Sequence, residues 1–376
     1  MKMFGKFLGT AALLSTVCSA PLAAEEITAS IWFPDTHPLT RDGYLALAKD
    51  LEARTNGDLT LQVYTGTALL PPVAHLSGLV DGIVQMTYHA GTYTPSDLPE
   101  DNVAAVLAIG LGDSMTTVMA VADFYINDPA IKAMFDRHGV VFLGAYASPQ
   151  YEMMCSKEIA TVEQIQGAKL RMPSPIHSAW AEAVGAVSVS VPSSEMYTGL
   201  EKGQIDCAIN ALNDLKSRSL WDVAKFATRL TFGPYFAGWQ YAIDRDAWTG
   251  LSPEHRRVLL DAISDNTIAT SIAYQASADE GVAEAAEHDV KISDPSPELR
   301  ASLDDFLAAR MKNMALETGA QLGVQDAQGV VDRFTATYAK WEKLLEGVDR
   351  KDAAALKKLM MDEVYSKVDV ESYGLQ

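Results

Sequence analysis

The sequence predicts an α/β fold of two lobes, tied together by a long lobe-spanning helix and finished by a helical C-terminal tail. Three observations carry that expectation. Strand-like and helix-like segments alternate over residues 26–210, the rhythm of sheets covered by crossover helices. Residues 254–289 then run without a proline and with one glycine, Gly281. As a single helix such a run is about 50 Å long at 1.5 Å per residue, longer than one small lobe is wide. Finally, the 376 residues are 48% hydrophobic and 21% charged, enough for two or three domain-sized units with real cores.

The first 24 residues stand apart from the globule. Lys2 and Lys6 precede an eleven-residue apolar run, and small residues follow before Glu25 and Glu26. That order matches a cleavable secretory signal, and the apolar run is too short to anchor the chain. Cleavage is expected after Ala24, with the mature chain in the periplasm; Ser15-Thr16-Val17 before Cys18 makes a poor lipidation site.

Residues 26–33 read as a strand, followed by a turn between Pro34 and Pro38. Leu45, Leu47 and Leu51 give 39–54 helical spacing, ending near Asn56-Gly57. Strands are expected at 59–65, 82–89 and 140–146, with helices at 72–81 and within 113–138. A second set begins at 151, with strands at 151–156, 168–172, 186–191 and 204–210 and helices at 161–166, 176–184 and 193–202. Ser252 as N-cap and Pro253 at the first helical position open the long helix, and further helices are expected at 297–318, 327–347 and 351–367. The expected lobe I is 25–147 plus about 236–270, and lobe II is 148–235 plus about 271–376.

Acids outnumber bases 49 to 30, a net charge of −19, and no dense basic patch offsets it, so nucleic acid is not an expected partner. No stretch reaches the roughly 18 apolar residues needed to span a bilayer. HExxH, GxSxG, the P-loop pattern and an EF-hand loop are all missing, and IGLGDS at 109–114 lacks the third glycine of a dinucleotide loop. The seven histidines show no ligand spacing, so neither a metal nor a cofactor is expected. After cleavage only Cys155 and Cys207 remain. In an oxidising compartment they either pair or stay as two small buried thiols, and pairing is the expectation adopted.

An exported two-lobed chain without catalytic motifs points to a receptor that closes on a ligand; a secreted two-lobed enzyme acting on a small organic acid is the alternative. The most informative segment is 162–211. It contains Gly167-Ala168-Lys169-Leu170-Arg171, Val184-Gly185-Ala186, Pro192-Ser193-Ser194-Glu195-Met196-Tyr197, and Gly203-Gln204-Ile205-Asp206 leading to Asn210. In order and spacing this resembles the DctP family, the substrate-binding proteins of tripartite ATP-independent periplasmic (TRAP) transporters. Residues 36–38, 49–69 and the start of the long helix extend the resemblance over most of the mature chain.

The resemblance implies a periplasmic binding protein fold, a small organic acid as ligand, transporter membrane subunits as partners, and no enzymatic activity. It makes Arg171 the clamp for the ligand carboxylate, a role suited to a planar guanidinium that offers two parallel N–H donors. It places a polar contact at Asn210. The chain departs from the family pattern at Cys207-Ala208-Ile209, at Gln85, and at Tyr151, where some members carry a second basic residue. One fixed cation among aromatics therefore suggests a monocarboxylate. Tyr151, Trp239, His37, Tyr88, His89 and Tyr93, together with Phe33 and Trp180, are the candidate walls.

Overall fold

The computed structural model describes residues 25–376; the expected signal segment, 1–24, lies outside the described residues. Two sheets form the two lobes. The first has the order β2-β1-β3-β10-β4, built from β1 (Glu25–Ser30), β2 (Leu59–Tyr64), β3 (Met86–Ala90), β4 (Val140–Gly144) and β10 (Gly238–Asp244). The second has the order β11-β9-β5-β8-β6-β7. Its strands are β5 (Tyr151–Cys155), β6 (Lys169–Arg171), β7 (Val187–Val189), β8 (Cys207–Ala211), β9 (Phe226–Thr228) and β11 (Lys291–Ser293).

The two sheets repeat one plan. β1 runs parallel to β2 and β3, as β6 does to β7 and β8. Each sheet also takes one strand antiparallel to its neighbours, β10 between β3 and β4 and β5 between β8 and β9. These two strands follow the crossings between lobes. The C-terminal ends of the parallel strands meet at the junction, the place where open α/β sheets present their binding residues.

The helix ends follow the local signals. Asn56 adopts φ 53° at the end of the first long helix, and the Ser252 side chain accepts from the His255 N–H at 3.1 Å with Pro253 behind it. The long helix spans Pro253–Glu284 and then tightens into a 3₁₀ turn over Ala285–His288, so it ends before the expected 289. Gly281 lets it pass close to lobe II: a Cβ there would lie 2.5 Å from the Leu212 carbonyl oxygen.

The tail corrects the expected boundary. Helix Pro297–Leu322 begins on the second lobe, where Arg300 donates to the Arg229 and Thr231 carbonyls. It ends on the first, with Gly319 against Val103, so it is a second lobe-spanning helix. Helices Ala327–Leu344 and Ala353–Glu363 then pack on lobe I, not on lobe II. Trp341 Nε1 donates to Asp123 at 2.9 Å, and Tyr365 and Tyr373 donate to the carbonyls of Leu143 and Phe142. Helix Ala327–Leu344 packs on the helix Ser114–Asn127, whose residues 115–126 are all buried, and helix Ala353–Glu363 packs on the long helix.

Candidate functional site

A closed cavity lies between the lobes at the strand ends. Trp32 and Phe33 follow β1, Tyr88 and Ala90 lie in β3, and Tyr93 lies just beyond it. Tyr146, Ser148 and Tyr235 come from the crossing segments. Tyr151, Arg171 and Asn210 come from β5, β6 and β8, while Arg218 and Tyr274 close the far side. About 20 Å³ of room remains inside, enough for one water molecule. An outer pocket of about 350 Å³ shares Tyr93 and Pro173 with it and opens to the surface. Larger hollows of about 380 and 600 Å³ lie elsewhere, along the long helix and beside Asp97 and Val324, but neither contains a buried cation.

Arg171 dominates the cavity's chemistry. Only 2% exposed, its guanidinium donates from Nε to the Val191 carbonyl and from Nη1 to the Ile209 carbonyl, both at 3.0 Å. Nη2 reaches the Tyr93 hydroxyl at 3.3 Å. Among the described residues no carboxylate lies within ion-pair distance of it. A buried cation held only by dipoles is costly to desolvate, and an anion beside it recovers that cost.

A second guanidinium, Arg218, also lines the cavity, which corrects the expectation of one fixed cation. It stacks over Phe33 at 4.6 Å and donates from Nη1 to the Ser193 carbonyl at 2.8 Å. Its charge is met by Asp214, 3.2 Å from Nε, so one uncompensated positive charge remains with Arg171. The aromatic walls are interlocked: Tyr151 and Tyr235 are parallel at 5.5 Å, and Trp32 meets Tyr88 edge-on at 4.6 Å. Burial pushes the hydroxyls of Tyr88, Tyr146, Tyr151, Tyr235 and Tyr274 well above their usual range, so they stay neutral.

Contacts across the cleft hold it shut. The Tyr93 hydroxyl accepts from the Ser193 N–H at 2.9 Å, Thr92 donates to the Pro173 carbonyl at 3.1 Å, and Thr36 donates to the Ser217 carbonyl at 2.6 Å.

The profile of the bacterial extracellular solute-binding proteins of family 7, DctP, matches residues 29–318. The chain belongs to this family. It is 27% identical over 224 residues to the ectoine-binding periplasmic protein TeaA of Halomonas elongata, covering 57% of this chain and 63% of that one. It is 25% identical over 219 residues to the 2,3-diketo-L-gulonate-binding periplasmic protein YiaO of Escherichia coli, covering 57% and 65%. In both cases the match spans less than two thirds of the relative's length. Two solved TRAP solute-binding proteins share the fold. One, from Rhodoferax ferrireducens with copurified benzoate, has TM-score 0.75 at 18% identity, covering 85% of this chain and 99% of that one. The other, from Bordetella bronchiseptica with bound mandelate, has TM-score 0.71 at 23% identity, covering 85% and 99%.

Of the residues that DctP resemblance and aromatic content singled out, Arg171, Asn210, Tyr151, Tyr88, Tyr93 and Phe33 come together at the cavity. His37 sits one layer behind, stacked on Phe33 at 4.1 Å. Burial and the Arg218 charge hold His37 well below the usual histidine range. Three expected walls are elsewhere. Strand alternation turns His89 away from the face that carries Tyr88, and it packs on Trp239 inside lobe I. The indole of Trp239 donates to Thr87 Oγ1 at 3.2 Å in that same interior. Trp180 packs edge-on against Phe232, outside the cavity lining. Cys155 and Cys207 are register partners in β5 and β8, with Cα atoms 4.0 Å apart and a disulfide joining them. The sequence reading missed Trp32, Tyr146, Arg218, Tyr235 and Tyr274 as cavity residues; only Trp32, beside Phe33, stood next to a quoted candidate.

Proposed function

We propose that this protein is a periplasmic receptor that captures a small monocarboxylate between its lobes and delivers it, unchanged, to the membrane subunits of a TRAP transporter. The observation that carries this reading is Arg171, a buried guanidinium with no acidic partner among the described residues, in a cavity whose other cation, Arg218, is paired with Asp214 and whose remaining walls are mostly aromatic rings. One net positive charge suits one carboxylate, and the rings suit an apolar or aromatic body. The acids bound by the related TRAP proteins, benzoate and mandelate, have that chemistry. With about 20 Å³ of room, the lobes must part to admit even a small acid and close again over it.

Export completes the proposal. Processing after Ala24 leaves β1 whole, because Glu25 pairs with Leu59 and its carboxylate meets His255 Nδ1 at 2.9 Å. Native mass spectrometry of the exported protein, followed by a thermal-shift screen of organic acids, tests the whole reading. The expected results are a mass lacking 1–24, one bound acid per chain, and recovery of that acid intact after incubation. Turnover of the acid, or no stabilisation by any monocarboxylate, would overturn it.

A further inference from the structure

The cavity carries a second selection rule, set by an acid that lies behind its wall. Asp214 is 1% exposed and lies in the first turn of the short helix Asn213–Ser217 after β8. Its Oδ1 accepts from Asn213 Nδ2 and from Ser217 Oγ, both at 3.0 Å. Its Oδ2 accepts from Asn210 Nδ2 at 2.9 Å and faces Arg218 Nε at 3.2 Å. Three hydrogen-bond donors and the Arg218 charge thus converge on a group that, ionised, can only accept.

The Asn210 amide is therefore not free to turn. Its NH₂ points to Asp214, with a second contact to Met196 Sδ at 3.6 Å, and its Oδ1 is buried with no partner among the described residues. Asn210 lines the cavity, and the preceding residue, Ile209, supplies the carbonyl that holds Arg171 Nη1. An acceptor thus stands beside the carboxylate clamp. A carboxylate oxygen cannot satisfy it, since two acceptors repel, so the ligand has to bring a donor. The same cavity has a complementary group in Trp32 Nε1, a buried donor that also has no partner among the described residues.

We infer that the cleft selects monocarboxylates bearing a hydroxyl or N–H donor next to the acid group, and that Asp214 imposes this by holding Asn210 with its carbonyl facing the ligand. The inference rests on the monocarboxylate reading and adds the donor to it. Asp214 acts as a positioning residue; Asn210 makes the contact. A site built to hydrogen-bond a ligand hydroxyl rejects the analogue that lacks it, because its buried polar group then stays unpaired.

The test is calorimetric titration of the mature chain with matched acids, mandelate against phenylacetate and lactate against propionate. The donor-bearing member of whichever pair binds should be tighter by about tenfold or more. Equal affinities within a pair that binds would overturn the inference while leaving the monocarboxylate reading intact. Binding by no acid of either pair, or of a wider panel, would remove both. Asp214→Asn replaces the acceptor-only group with one that can also donate, so Asn210 can turn and the within-pair ratio should fall towards one. Asn210→Leu should collapse the ratio in the same way. A ratio that persists in both variants, with native circular dichroism, would assign the selection to other residues.

Discussion

Replacing Arg171 separates its role in binding from its role in folding. In Arg171→Ala the lost interaction is that of a guanidinium and a carboxylate in contact. At 4 Å and an effective dielectric near 20 this amounts to roughly 4 kcal/mol before desolvation is subtracted. Truncating one partner of a buried charge pair costs about 2–5 kcal/mol, so affinity should fall by roughly 30- to 5,000-fold. Arg171→Lys should recover only part of this. An ammonium keeps the charge but cannot span the Val191 and Ile209 carbonyls, 3.0 Å from Nε and Nη1, while presenting two parallel donors outward. Arg171→Met supplies the control. It removes a cation that is 2% exposed and has no acidic partner among the described residues, so the ligand-free protein should lose little stability. The assay is calorimetry with a ligand found by the acid screen, beside thermal melts without ligand. Unchanged affinity in a folded Arg171→Ala protein would refute the reasoning and leave the anion site unassigned.

Other expectations follow from neighbouring contacts. Tyr93→Phe removes the hydroxyl that the Ser193 N–H and Arg171 meet across the cleft, at about 1 kcal/mol to the closed form. Stopped-flow measurement should therefore show ligand release roughly fivefold faster. Titration of the denatured, unreduced mature protein, which lacks Cys18, should find no free thiol, and the double change of Cys155 and Cys207 to Ser should lower stability by about 4 kcal/mol for a separation of 52 residues in the chain-entropy account. Two titratable thiols would contradict the pairing. His177 is buried in lobe II near Arg171 and its imidazole is lowered to about 3, by burial first and the Arg171 charge second. Its folded value lies below its unfolded value, so the stability it contributes is present above about pH 6.5 and is lost as pH falls towards 3. His177→Gln should therefore reduce the loss of denaturant-measured stability between pH 7 and pH 5 by about 2 kcal/mol.

The fold was legible where local pattern and burial agree. β1, β2, β4 and β5 carry half-buried or buried runs bounded by turn residues, and the long helix announces itself by its lack of breakers and by Ser252-Pro253. β9, β10 and β11 escaped: β9 and β11 have three residues each, and unlike the equally short β6 and β7 they lie outside the 162–211 motif. The lobe membership of the tail depends on which helix faces it, a tertiary fact without a local signal. At the site, Arg171 and Asn210 were reached through a motif that fixes their places at the ends of β6 and β8. The aromatic walls were not so fixed. Tyr88 and His89 are neighbours in sequence, and the pleat sends one to the cavity and the other into lobe I. Asp214 sits on, and Arg218 caps, a short helix whose sequence has no distinguishing spacing, and the packing of Arg218 over Phe33 reveals the second cation.

A crystal structure of the mature protein with the acid recovered from it tests the central claim most directly. The account predicts a closed cleft with one carboxylate seated on Arg171, two nitrogen–oxygen distances of about 2.7–2.9 Å, and the body of the acid between Trp32, Tyr88 and Tyr151. An acid bound with its carboxylate away from Arg171, or seated in one of the outer hollows with the cleft unchanged, would contradict it.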